Sequence, residues 1–168
     1  IVRRTVIQEL GTSGDARATE PLLQLLALSR GDLPLFAETA RALARLGDER
    51  AVDPLLQQLD AGPAENTRLI VQCLPDLLLQ VRSREPLARA MSRLIVIYEA
   101  AEGILRGEAV PDPAARNARP ADAQALAEAA RAALGQVAGL EFATAAGARK
   151  WWNDRDSRER FLRERASR

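Results

Sequence analysis

Residues 14–26 read GDARATEPLLQLL, and residues 47–59 read GDERAVDPLLQQL. Nine of the thirteen positions are identical, at an offset of 33 residues. The register holds outside the quoted stretch, because Leu10 aligns with Leu43 without a gap. A fixed period of this length marks one supersecondary part built more than once. The period therefore decides the fold before any single residue does.

Each copy divides into two helices. Residues 2–12 and 35–46 carry apolar side chains at helical spacing, Val2, Val6, Ile7 and Leu10 in the first and Leu35, Ala40, Leu43 and Leu46 in the second. Gly14 and Gly47 follow as breakers, and Asp15 and Asp48 stand where a cap for the next helix belongs. The second helices run to about Leu28 and Asp60, with Pro21 and Pro54 near their first turns, where a missing N–H costs least. Arg17 and Arg50 fall in a short lead-in with the length of one 3₁₀ turn, and the spacing lets them form a ladder along that edge.

A degenerate third unit follows. TRLIVQCLPDLLLQ is its first helix, which Pro75 is expected to bend or end early, and REPLARAMSRLIVIYEAAEGIL is a longer second helix with Leu87, Met91, Leu94, Ile95 and Tyr98 along one face. PDPAARNARPAD, at 111–122, holds three prolines and reads as a connecting loop. A further helix is expected over 122–138, then an irregular return over 139–154, then a short charged helix in SRERFLRERAS. One hairpin cannot cover its own apolar stripe, whereas stacked copies bury it against each other. The expected fold class is all-α, an α-solenoid of three to four hairpins. Repeats occupy 1–33, 34–66 and 67–108, a Pro-rich linker 109–121, and a capping segment 122–168.

The pattern Leu-x-x-x-Gly-Asp-x-Arg-Ala-x-(Asp/Glu)-Pro-Leu-Leu, at Leu10–Leu23 and Leu43–Leu56, resembles the short bacterial HEAT repeats also found in phycobilisome-lyase subunits. The resemblance is good over 2–60, weak over 67–105 and absent from the linker. LGQVAGLEFATAAGARKWWND resembles the closing element of many bacterial HEAT-repeat proteins, with Leu134, Gly139, Phe142, Trp151 and Trp152 on its outline. Ala138 departs from the usual Thr, and Ala148 from a common further Trp. Trp151, Trp152 and Phe161 are the expected lids of the last apolar face; exposed, adjacent tryptophans would instead form a partner-binding patch.

Composition excludes several chemistries. With no histidine, Ser-His-Asp and Cys-His catalysis and His-liganded metals are ruled out, as are the HEAT-repeat hydroxylases that use His-Glu iron ligands. Cys73 is the single cysteine, lies in an apolar run, and is expected to be a buried thiol. Neither a Gly-rich phosphate loop nor EF-hand spacing is present, so no cofactor and no metal are expected. The formal charge is +1, and 23 of the 24 basic residues are arginine, which with the many alanines fits a GC-rich genome. The last twenty residues hold eight basic and four acidic groups, a net +4, more in keeping with a solubilising end helix than a nucleic-acid site. No apolar stretch approaches the ~20 residues that span a bilayer. The opening at Ile1, in mid-pattern and without Met, leads us to expect a processed or excised piece of a longer array, in a compartment left open with the cytoplasm favoured.

The leading expectation is a non-enzymatic scaffold that binds another protein or peptide on the surface lined by its second helices. Glu20, Gln24, Asp53, Gln57 and Gln58 are polar positions there that the core does not need, and they are the expected partner contacts. The acidic pairs Asp154/Asp156 and Glu99/Glu102 read as solvated helix faces. The alternatives are an enzyme or enzyme subunit of bilin-lyase type, as the resemblance implies, and nucleic-acid binding through the basic tail. HEAT-like DNA glycosylases use a similar scaffold, but this charge balance disfavours DNA.

Overall fold

The computed structural model describes residues 2–61, 64–115 and 118–167, and the side chains of 2–4, 61 and 64 lie outside what it describes, that of Val2 in the first apolar stripe among them. Nine α-helices lie among the described residues: α1 (Val2–Thr12), α2 (Thr19–Leu28), α3 (Leu33–Leu46), α4 (Val52–Ala61), α5 (Ala64–Leu78), α6 (Arg84–Leu105), α7 (Pro120–Ala138), α8 (Ala145–Asn153) and α9 (Arg155–Ala166). They form two layers. In one, α1, α3, α5 and α7 pack in succession; in the other, α4 packs on α6, and α6 on α8 and α9. Each of α2, α4 and α6 also packs on the first helix of the next hairpin. The chain is an all-α solenoid, and most of its buried apolar residues join in one cluster from Ile7 to Leu162.

The quoted stretches build equivalent turns. Asp15 accepts the Arg17 backbone N–H at 2.9 Å, and Asp48 accepts that of Arg50 at 3.0 Å, each capping a 3₁₀ turn before α2 and α4. The turns are also tied together. The Thr19 hydroxyl donates to Asp48 at 2.6 Å, and Arg50 Nη2 donates to the Ala16 carbonyl at 2.7 Å. The expected ladder thus runs from side chain to the neighbouring turn, not from arginine to arginine. Gly47 adopts φ +73°, a left-handed conformation only glycine takes at little cost.

Three expectations need correction. Pro75 lies inside α5, which continues to Leu78; this near the C-terminus only the Val71 carbonyl loses a helical donor, and burial of Pro75 holds the turn. Helix α7 starts at Pro120 rather than 122, since proline at the first helical position has its φ already set. The connecting loop packs partly inward: Ala114 and Ala115 are buried, and Asp112 accepts the Ala114 N–H at 2.9 Å. The return at 139–154 contains α8, capped by Thr144, whose hydroxyl accepts the Gly147 N–H at 3.2 Å.

The last helices close one end of the stack. Phe142, Trp151, Trp152 and Phe161 form an aromatic cluster with ring centroids 5.5–6.2 Å apart, Trp152 buried and Trp151 half-buried. Trp152 Nε1 donates to Ser92 on α6 at 2.9 Å. Arg165 turns inward from α9 and donates to the Leu78 carbonyl at the end of α5, at 2.9 Å, where a cation also suits the helix dipole.

Candidate interaction surface

On α2 and α4 the proline turns set the phase of every later side chain. Glu20 and Gln24 are exposed one turn apart on α2, and Asp53 and Gln57 take the same places on α4. Gln58 does not join them. One residue further is 100° further round the helix, which turns Gln58 toward the first hairpin. There it is 8% exposed and accepts Arg30 Nε at 2.8 Å. It works as an internal tie, not as an open contact position. Asp53 is exposed but engaged, accepting Arg89 Nε and Nη2 of α6 at 3.0 and 2.8 Å in a fork. Glu20, Gln24 and Gln57 remain as the outward polar positions of the five.

Sequence reasoning missed the part of this surface contributed by α6. Glu85, Ala88, Arg89, Ser92, Arg93 and Val96 line an open depression of about 460 Å³. Ion pairs border it toward α4, where Arg89 holds Asp53 and Glu85 while Arg93 holds Asp60 and Asp112. Toward α8 and α9, Arg149 Nε and Nη2 bind Glu99 at 2.8 and 2.6 Å, and Arg84 pairs with Glu159. The hydrogen bond to Asp53 raises the Arg89 pKa further above its already high value. Burial of Arg93 disfavours its charge, but Asp112 and Asp60 more than offset this, and its pKa is also raised. The surface is therefore a shallow channel with a small-residue floor and charged, self-paired borders. The only sequence signal for it is the i,i+4 run Ala88, Ser92, Val96 of small or short side chains on a long helix.

Three of the four carboxylates expected on solvated helix faces are tied to partners. Glu99 is held by Arg149, Glu102 accepts the Ala145 N–H at 3.2 Å, and Asp154 caps α9 by accepting the Ser157 N–H at 2.9 Å. Burial raises the Cys73 thiol to about 11, which keeps it protonated and poorly nucleophilic. No group of three or more metal-ligating side chains occurs among the described residues, and no described helix is long and apolar enough to cross a membrane. A larger open cleft of about 760 Å³ lies at the end of α7, lined by Arg131, Gly135, Leu140 and Phe142 among others.

The family model of HEAT repeats matches residues 1–75, from α1 into α5. No curated protein and no solved structure matches the chain.

Proposed function

We propose that this protein is a non-enzymatic scaffold that binds another protein or a peptide on the surface lined by α2, α4 and α6. The observation that carries the reading is the run of outward polar side chains, Glu20, Gln24 and Gln57, leading to the α6 depression. Those side chains contribute nothing to the core, and stacked helical repeats offer such extended surfaces to partners. The HEAT-repeat match over residues 1–75 supports the same reading, because such repeats commonly serve protein interaction. An extended segment fits an open channel better than a small molecule does, since small ligands favour enclosed apolar pockets.

The test is a triple substitution, Glu20→Arg, Gln24→Arg and Gln57→Arg, in the full chain. Capture of a cross-linked partner, with cross-links mapped to α2, α4 and α6, is expected to be lost in the variant while the melting temperature holds. Retained capture with cross-links elsewhere would discard this surface.

A further inference from the structure

We infer that the face of the first hairpin opposite α3 receives another helical hairpin of the same class, stacked in the same polarity and joined ahead of α1 as α2 is joined to α3. Two independent comparisons inside the chain carry this inference. The first is burial at equivalent positions. Thr39 and Leu43 on α3 are fully buried, whereas Val6 is 51% exposed and Leu10 only half-buried at the same places on α1. Gln58 is buried against Arg30 of the preceding hairpin; its counterpart Leu25 is half-buried, and Leu28, one turn on, is 84% exposed. The first hairpin thus shows apolar side chains where the second shows a covered surface.

The second comparison is the ladder between turns. At the second turn, Asp48 takes the Thr19 hydroxyl and Arg50 Nη2 takes the Ala16 carbonyl, both from the hairpin before it. Asp15 and Arg17 are shaped alike, with Asp15 capping its 3₁₀ turn and holding Arg17 through Nε and Nη2. Yet the Asp15 side chain is 41% exposed against 11% for Asp48, and that of Arg17 91% against 62% for Arg50. One acceptor and one donor are presented in the arrangement that is filled 33 residues later.

That polarity selects the occupant. In a second copy of this chain the Thr19 hydroxyl and the Ala16 carbonyl are already held by its own Asp48 and Arg50. A head-to-tail copy would need an open far end, which α8, α9 and their aromatic cluster cover. A hairpin whose two helices are joined by a turn like Ala16–Thr19 supplies both missing groups.

The experiment places a duplicate of residues 1–33 directly before Ile1, so that the copied Ala16 and Thr19 fall in register. Val6→Asp and Asp15→Ala are then made in both the original and the extended chain. In the original chain Val6→Asp is expected to leave the melting temperature nearly unchanged, and Asp15→Ala to lower it only by the loss of the cap on its own turn. In the extended chain each is expected to lower it by several degrees more than in the original, and the parent extended chain to melt higher than the original. Two results would overturn the inference: substitutions that cost no more in the extended chain than in the original, or an original chain that sediments as a dimer and is split by Val6→Asp, which would make a second copy the occupant.

Discussion

Trp152 and Ser92 lie sixty residues apart in sequence and 2.9 Å apart in space, indole Nε1 to hydroxyl Oγ. The bond fixes α8 against the middle of α6 and gives a buried indole the partner it needs. Trp152→Ala is expected to cost about 3–5 kcal/mol in urea unfolding, by loss of a buried aromatic and its cavity. Trp152→Phe keeps ring packing and loses the hydrogen bond, so about 1–2 kcal/mol is expected. Equal losses in the two variants would mean that the hydrogen bond, not packing, dominates.

Asp48 supplies a pH signature. Its hydrogen bond from Arg50, aided by the Thr19 hydroxyl, lowers its pKa from 3.8 to about 2. A carboxylate whose pKa falls on folding stabilises the fold above its unfolded pKa, and that contribution disappears as pH drops through the folded value. Asp48→Asn is expected to cost about 1–2 kcal/mol at pH 7. The gap to the parent chain should close between about pH 4 and 2. A gap that stays constant over that window would show that the ladder acts through shape alone.

Gly14 and Gly47 offer a matched pair. Both have positive φ, +66° and +73°, but a Cβ on Gly14 meets nothing within 4 Å, whereas one on Gly47 would sit 2.2 Å from Gln80 Oε1. Gly14→Ala is expected to cost about 1 kcal/mol, the conformational part alone. Gly47→Ala must also displace Gln80, whose amide donates to the Ala44 carbonyl at 3.1 Å and caps the end of α3. It should cost more than Gly14→Ala, and the excess should shrink in a Gln80→Ala background. A double-mutant cycle checks the coupling.

Arg93 clamps the linker, binding Asp60 on α4 at 2.6 Å and Asp112 in the loop. Arg93→Ala leaves the Asp112 carboxylate, about 10% exposed, without its cation. A loss of about 2–4 kcal/mol is expected. The Ala114 amide should exchange with solvent far faster, since Asp112 anchors that turn. Unchanged exchange at Ala114 would place the anchor in the buried alanines instead.

The repeat was legible because its cues are local. A glycine, an aspartate and a proline at fixed offsets determine turn, cap and helix start within a few residues, and they recur unchanged at 33. Helix α8 was hidden because Gly147 interrupts its first turn and its alanines leave too faint an apolar stripe to show a period; that stripe is small because α6 lies close against it. Gln58 was misassigned by one position, and a single 100° step separates a contact face from a buried tie. The α6 channel was harder still. Apart from Arg89–Glu85 within α6, its borders pair residues 19 to 75 positions apart, as in Arg93–Asp112, Arg89–Asp53, Arg149–Glu99 and Arg84–Glu159. No spacing rule within one helix predicts such partners.

Arg165 reaches 87 residues back to hold the last turn of α5. A strictly linear pile of hairpins can fray from one end, shedding its final unit while the remainder stays folded. Here the terminal unit is latched to the centre, so detaching α9 exposes the Leu78 carbonyl and strips support from the third hairpin at once. The second half of the molecule should therefore melt as a single block, and a protease should find no partially frayed form to trim.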